Sequence, residues 1–186
     1  KMEKARDEDV KVIGEGAVAE LARLEKALDV NDQEVKKYVA VAIGKMGERA
    51  ASATPGLITI LGLEDRKLVR IAVRSLGKIG PGAREAVAAL IRVARQDASL
   101  TRDLTAESLI AIGAQATPAL IALLEGNDLD MKLYAARVLG GLGMKARDAV
   151  PQLRRTRNEI LRSRYPGPKE ISVYEAVEKA LVRMKS

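Results

Sequence analysis

The chain has 186 residues, 47% of them hydrophobic, which is enough to fill a core, and it carries a formal net charge of +7. It contains no His and no Cys, which excludes the commonest general base, the commonest transition-metal ligand, a thiol nucleophile and a disulfide framework. Phe and Trp are also absent, and because one globular core usually needs large rings, this composition favours thin layers of stacked helices.

We expect no membrane-spanning helix, since the apolar runs in the sequence look shorter than the ~18 to 20 residues needed to cross a bilayer. No signal peptide is visible at the start. The first residue is Lys1 and not Met, so the N-terminus looks processed and the missing signal says little about the compartment. The cytoplasm is slightly favoured, and a secreted or periplasmic location stays open.

Residues 1–13 are mostly charged, so they are expected to form a polar capping helix or a frayed end. Residues 17–28 then have the pattern of an amphipathic helix, followed by a turn at Asn31 and Asp32. A second pair of helices is predicted over residues 35–46 and 54–63, where Pro55 suits a first helical turn.

The stretch from Leu68 to Arg92 has the clearest pattern. Apolar residues recur at steps of three and four before Gly80 and again from Val87 to Ala94, which predicts two amphipathic helices joined by a tight connector. A helical hairpin this short buries too little apolar surface to be stable alone. It therefore requires neighbours of its own kind.

Two more pairs are predicted, at residues 101–112 with 118–124, and at 131–142 with a helix that starts near Ala149. The last of these helices continues past the usual length until the segment 165–168, which contains two prolines, ends it. The chain finishes with an amphipathic helix over about 169–184, which is predicted to cap the open end of a helical stack.

A shift of 33 residues aligns the chain with itself. Glycines, alanines and leucines fall into separate columns: Gly14, Gly47, Gly80, Gly113 and, after a step of 30, Gly143; Ala17, Ala50, Ala83, Ala116 and Ala146; Leu24, Leu57, Leu90, Leu123 and Leu153. A period near 33 predicts a helical solenoid. We expect Gly to end each first helix in a left-handed conformation, Ala to let the two helices approach, and Leu to pack from each second helix.

The segments VRIAVRSLGKIGPGAREAVAALIRVA, LYAARVLGGLGMKARDAVPQL and AIGAQATPALIALL resemble HEAT repeats, specifically the short HEAT-like repeats also found in phycobilisome lyases. The resemblance implies an all-α, right-handed α-α superhelix whose first helices line the convex side and whose second helices line the concave, usually partner-binding side. We expect a single domain with hairpins at about 2–30, 34–63, 67–96, 100–126 and 130–164, and a capping helix at 169–185.

Three columns of the second helices are predicted to line the concave face: Lys26, Thr59, Arg92, Glu125 and Arg155; Asp29, Gly62, Arg95, Asp128 and Asn158; Arg23, Gly56, Ala89, Ala122 and Gln152. Such a face is polar and mixed in sign, with small residues in its middle. Arg92, Arg95 and Arg155 suit clamps on carboxylates or phosphates. Solvated positions that are polar for solubility explain the same pattern.

The basic excess belongs to residues 145–186, which hold 11 Lys and Arg against 5 Asp and Glu, whereas residues 1–144 hold 21 against 20. Five arginines cluster there: Arg154, Arg155, Arg157, Arg162 and Arg164. They suit phosphates or an acidic partner, but at about 100° per residue they spread around a helix. Nucleic-acid binding is the weaker alternative, because aromatic stacking partners are nearly absent.

The sequence therefore favours a non-catalytic scaffold for a protein or peptide, with an acidic partner favoured by the arginines, and with no cofactor or metal. HEAT-type hydroxylases use His, and HEAT-like DNA glycosylases use Trp, so the absence of both residues argues against these activities. A bilin lyase or another enzyme-associated role stays open from the resemblance, although no residue stands out as its chemical centre. The paired acids Glu64 with Asp65, and Asp128 with Asp130, are predicted to form turns and helix caps.

Overall fold

The computed structural model describes residues 19–96 and 100–185, and in these ranges every regular element is helical. The predictions for the N-terminal cap, Gly14 and Ala17 lie outside the described residues. The first helices of the hairpins are α2 (Gln33–Met46), α4 (Arg66–Ile79), α6 (Leu100–Ile112) and α8 (Leu129–Leu142). The second helices are α1, described over residues 19–28, α3 (Thr54–Ile60), α5 (Val87–Gln96), α7 (Thr117–Glu125) and α9 (Val150–Arg162), and the chain continues with α10 (Pro168–Arg183).

The helices form two layers of an all-α solenoid. In the first-helix layer α2 packs on α4, α4 on α6, α6 on α8, and α8 on α10. Second helices pack on the helix that follows them in the chain: α3 on α4, α5 on α6, α7 on α8, and α9 on α10. The C-terminal helix α10 therefore continues the first-helix layer and occupies the place of one more first helix.

The first-helix layer is held by close backbone approach and by hydrogen bonds between neighbouring helices. Ser75 Oγ donates to the Ala40 carbonyl at 2.7 Å, and Ser108 Oγ donates to the Val73 carbonyl at 2.9 Å. These serines face glycines on the preceding helix, where an added Cβ would lie 2.6 Å (Gly44) or 2.7 Å (Gly77) from the serine oxygen. Only glycine therefore permits this spacing of α2, α4 and α6.

A buried tyrosine joins α6 to α8. Thr105 Oγ1 donates to the Arg102 carbonyl at 2.7 Å, so the Tyr134 hydroxyl, 2.9 Å from that oxygen, donates to it. Burial raises the pKa of Tyr134 to about 12. The phenol is thus a neutral, hydrogen-bonded part of the core.

Each first helix ends at a glycine of the predicted column. Gly47, Gly80, Gly113 and Gly143 all have positive φ, between 55° and 91°, as predicted. The ψ angles of Gly47, Gly80 and Gly143 are near −135°. These three glycines are therefore not in the left-handed helical conformation but in a region of φ and ψ that is even more restricted to glycine. The alanines three residues later, Ala50, Ala83, Ala116 and Ala146, are fully buried, which confirms their role in the connector.

The predicted leucine column is out of register at Leu123, and its first member in the described residues, Leu24, is only half-buried. The fourth connector, Gly113–Ala116, is three residues shorter than Gly47–Ala53, Gly80–Ala86 and Gly143–Ala149. The residue that matches the fully buried Leu57, Leu90 and Leu153 is therefore Leu120, which is also fully buried, whereas Leu123 is only half-buried. The missing residues lie inside this connector, and every later position of α7 shifts by three.

Residues 101–125 are long and apolar enough for a membrane span, contrary to the expectation that no run reaches this length. In the structure the stretch is two helices, α6 and α7, separated by Gly113 at φ 91°. Leu109, Ile112, Leu120 and Leu124 on these helices are fully buried in the solenoid. The apolar character of this stretch is thus used in the packing of one hairpin.

Candidate binding surface

The outward side chains of α3, α5, α7 and α9 form what we call the second-helix surface. With the short fourth connector taken into account, its two exposed columns are Thr59, Arg92, Ala122 and Arg155, and Gly62, Arg95, Glu125 and Asn158. Glu125 therefore belongs to the second column. Asp128 does not belong to the second-helix surface, because it is the N-cap of α8. In the third predicted column Ala89 and Gln152 are buried and do not belong to an exposed face, whereas Arg23 and Ala122 are exposed.

Arg92 and Arg95 lie one helical turn apart on α5. Both side chains are exposed, and neither makes an ion pair with any residue between 19–96 or 100–185. Two unpaired guanidinium groups three positions apart can bind one or two carboxylates through bidentate hydrogen bonds.

The five C-terminal arginines have different surroundings. Arg154 and Arg155 are exposed on α9, Arg162 is its last residue, and Arg164 is exposed in the segment before α10. Arg157 is half-buried and its Nη1 lies 3.5 Å from Glu178 Oε1 on α10. Arg157 therefore joins α9 to α10, and the other four arginines remain available to a partner.

The two arginine groups are on helices separated by α7 in the hairpin order. At the corresponding positions α7 carries Ala122 and Glu125, and neither is a cation. The structure thus brings Arg92 together with Arg95, and Arg154 with Arg155, but it does not join the two pairs into one patch.

Two of the paired acids, Asp65 and Asp128, form helix caps, as predicted. Asp65 and Asp128 each accept hydrogen bonds from two backbone N–H groups as N-caps of α4 and α8. The N–H of Leu68, with smaller help from Lys67 N–H and Lys37, holds the pKa of Asp65 below its usual value. Lys169 Nζ, 2.8 Å from the Asp130 carboxylate, lowers the pKa of Asp130. In the described ranges no three His, Cys, Asp or Glu side chains group as metal ligands would.

A further basic surface was missed in the sequence. Four cations on α4, which we call the α4 ridge, lie on one side of the helix: Lys67, Arg70, Arg74 and Lys78. Their spacing of i, i+3, i+7 and i+11 is the helical period, so the signal is present in the sequence. It was overlooked because acids elsewhere make residues 1–144 nearly neutral in sum.

A family model of HEAT repeats matches residues 21–110, from α1 into α6. This match agrees with the resemblance to HEAT repeats that the sequence indicates. Among curated proteins, no sequence matches the chain. The family match therefore indicates the type of repeat. Repeats of this type form a scaffold fold that commonly mediates protein interactions.

Three solved structures of engineered or designed proteins are similar to the chain. An engineered protein from the Northeast Structural Genomics Consortium is 20% identical, with 90% of this chain and 80% of that chain covered and a TM-score of 0.48. A second engineered protein from that consortium is 17% identical, with coverages of 89% and 98% and a TM-score of 0.49. A designed armadillo repeat protein is 14% identical, with coverages of 88% and 99% and a TM-score of 0.46.

Proposed function

We propose that this HEAT-repeat protein is a non-catalytic scaffold that binds an acidic surface of a protein or peptide through the second-helix surface. The observation that carries the proposal is the pair of guanidinium groups on α5 and the pair on α9, all exposed and without an ion pair in the described residues. An unpaired arginine on a rigid helix supplies a fixed fork of donors that matches a carboxylate. Each pair thus suits one acidic contact.

The arrangement supports an extended partner better than a small ligand. A partner that contacts both pairs must cross α7, where Ala122 leaves room and Glu125 repels a carboxylate at that point. Acidic residues at the two ends and a neutral or basic residue between them therefore match the surface. A continuous polyanion does not match it equally well, because Glu125 opposes one of its charges.

Charge reversal tests the proposal with a fluorescein-labelled Glu-rich peptide, a single-stranded oligonucleotide and a Lys-rich peptide as probes. Because one charge-assisted hydrogen bond contributes about 1.5–3 kcal/mol, we expect R92E/R95E and R154E/R155E each to weaken binding of the Glu-rich peptide about tenfold or more. The matched control is R49E/R84E, which makes the same charge change at two exposed connector residues.

Fluorescence anisotropy over a range of NaCl concentrations distinguishes the outcomes. Equal loss in R49E/R84E would mean that only net charge matters, and the proposed surface would be wrong. Tighter binding of the oligonucleotide than of the Glu-rich peptide, with a steep logarithmic dependence on salt, would favour nucleic-acid binding and contradict the proposal.

A further inference from the structure

The α4 ridge differs from every other described part of the first-helix layer. Its four cations extend from Lys67 to Lys78, eleven helical steps or about 16 Å at about 1.5 Å per step. Helix α4 contains no acidic residue. No ridge cation makes an ion pair with any residue between 19–96 or 100–185. The ridge is therefore a line of uncompensated positive charge.

The matching positions of the other first helices are mixed in character. Those that match Arg70, Arg74 and Lys78 are Lys37, Val41 and Lys45 on α2; Asp103, Glu107 and Ala111 on α6; Leu133, Arg137 and Gly141 on α8; and Glu175, Lys179 and Arg183 on α10. The repeat thus does not require a cation at any of these positions. Four cations in line are a property of α4 alone among these helices.

A groove runs beside the ridge, between α4 and α6. It consists of two adjoining clefts of about 340 and 350 Å³ that share Arg74 and Leu104 in their walls. Ile71, Leu104 and Gly77 give it an apolar floor, and Glu107 and Ala111 line the α6 side. One bank is therefore basic over its whole length, the floor is apolar, and the other bank carries an acid.

We propose that the α4 ridge and this groove dock an acidic amphipathic helix of another protein. Carboxylates at steps of three and four on such a helix lie along one stripe with the same period as Lys67, Arg70, Arg74 and Lys78. An apolar residue beside that stripe reaches Leu104, and a basic residue on its far side faces Glu107. This surface belongs to the first-helix layer and is separate from the second-helix surface of the proposed function.

Two other anionic partners fit this groove less well. A small anion needs donors that converge on one point, whereas the ridge cations are spread over about 16 Å. A nucleic-acid strand needs stacking side chains and a uniformly positive groove, whereas Glu107 lines the α6 side and no aromatic residue lines either cleft. The charge pattern across the groove matches a helix that is acidic along one edge, apolar beside it and basic along the other edge.

The probe is a synthetic amphipathic helix with Glu at positions i, i+4, i+7 and i+11, Leu beside this stripe and Lys on its far edge. A peptide of the same composition with scrambled order and a Glu-rich peptide without helical period are the comparison ligands. We expect the helical probe to bind the full chain more tightly than both. R70E/R74E should weaken this binding at least about tenfold, since it reverses two contacts, and R49E/R84E, at two exposed connector residues outside both proposed surfaces, is the control with the same charge change.

A charge swap makes the test specific. The probe with Lys in place of its two central Glu residues, and Glu kept at both ends, should bind R70E/R74E more tightly than the original chain, provided that both have the same thermal unfolding profile. Carbodiimide coupling should join Lys67 and Lys78 to Glu residues at opposite ends of the probe. Equal binding of the scrambled peptide, equal loss in R49E/R84E, or failure of the charge swap would each overturn this proposal, and none of these results would contradict the proposed role of the second-helix surface.

Discussion

Helices α4 and α9 are both rich in cations, but they present these cations differently. On α4 the cations of the ridge share one side, have no acid on their own helix and border an apolar groove. On α9 the arginines point in different directions, Arg157 pairs with Glu178, and Glu159 pairs with Lys132. Periodic spacing and the absence of paired acids, rather than the density of arginines along the chain, distinguish a docking surface from a charged helix.

The difference also concerns how rigidly each surface is held. Helix α4 is in close backbone contact with α6 through Gly77 and Ser108, and with α2 through Gly44 and Ser75. Helix α9 packs on α10, in part through the half-exposed pair of Arg157 with Glu178. The α4 ridge is thus held on a tightly packed layer, and we expect its geometry to depend on the glycines beneath it.

Gly77→Val should have the largest effect. A Cβ at Gly77 would lie 2.7 Å from Ser108 Oγ and 3.1 Å from the Ser108 backbone, so α6 must move away from α4. We expect the free energy of unfolding to fall by about 2 kcal/mol, as is typical of overpacking, and the helical probe to bind more weakly to the displaced groove. Urea unfolding and probe anisotropy measure the two effects.

The matched control is Gly62→Ala, where the added Cβ meets only the Thr59 carbonyl at 3.5 Å, an ordinary contact. This change should leave both stability and probe binding as they are. If Gly77→Val were equally harmless, the close contact of α4 with α6 would not hold the ridge in place.

Asp65 caps the start of α4, and its effect on stability should depend on pH. Its pKa is held below the usual value by the N–H of Leu68 and by Lys37, so its carboxylate stabilises the fold above about pH 4 and stops doing so as the pH falls through the lowered pKa. Asp65→Asn keeps the cap but removes the charge, so urea midpoints should change less below pH 4 than in the original chain. Asp65→Ala should be less stable than Asp65→Asn at neutral pH, and equal midpoints would contradict a capping role.

Arg157→Ala and Arg154→Ala should separate the two kinds of arginine on α9. Arg157 Nη1 is 3.5 Å from Glu178 Oε1, so its loss should lower the free energy of unfolding by about 0.5 to 1 kcal/mol. Arg154 is exposed and has no ion pair in the described residues, so its loss should leave stability unchanged. Thermal unfolding of both variants checks this, and a larger effect at Arg154 would reverse the assignment.

Much of the fold could be predicted from the sequence because its strongest constraints are local and repeat. Because the chain needs positive φ at Gly47, Gly80 and Gly143, glycine recurs at these positions of the sequence. Because the connectors are buried, alanine recurs three residues later. The three-residue deletion could not be placed, because Leu120, Leu123 and Leu124 all suit a buried position and only packing distinguishes them. Sequence columns thus determine the type of element more firmly than the register across a connector.

The candidate surfaces were harder to predict, for a related reason. A dense run such as Arg154 to Arg164 is conspicuous in the sequence, but the sequence does not show that Arg157 has a partner on α10. The α4 ridge is spread over twelve positions with apolar residues between its cations. Its significance depends on what lies beside it, and the groove at Leu104 exists only once α4 and α6 are packed together.

Arg74→Gln should have the smallest effect, and in the opposite direction. Arg74 has like charges four residues away on both sides, Arg70 and Lys78, and each such pair destabilises a helix by about 0.2–0.5 kcal/mol. Gln has nearly the same helix propensity as Arg, so the variant should be more stable by about 0.5 kcal/mol in low salt and by less in high salt. Arg155→Gln is the control on α9, where the residue four positions later is Glu159 and no like charge is removed at that spacing. If urea unfolding showed equal changes for both variants, repulsion along α4 would not explain the gain. If Arg74→Gln increased stability and also weakened probe binding, the ridge would lower the stability of the free protein. An acidic helix bound in the groove would then compensate for this loss.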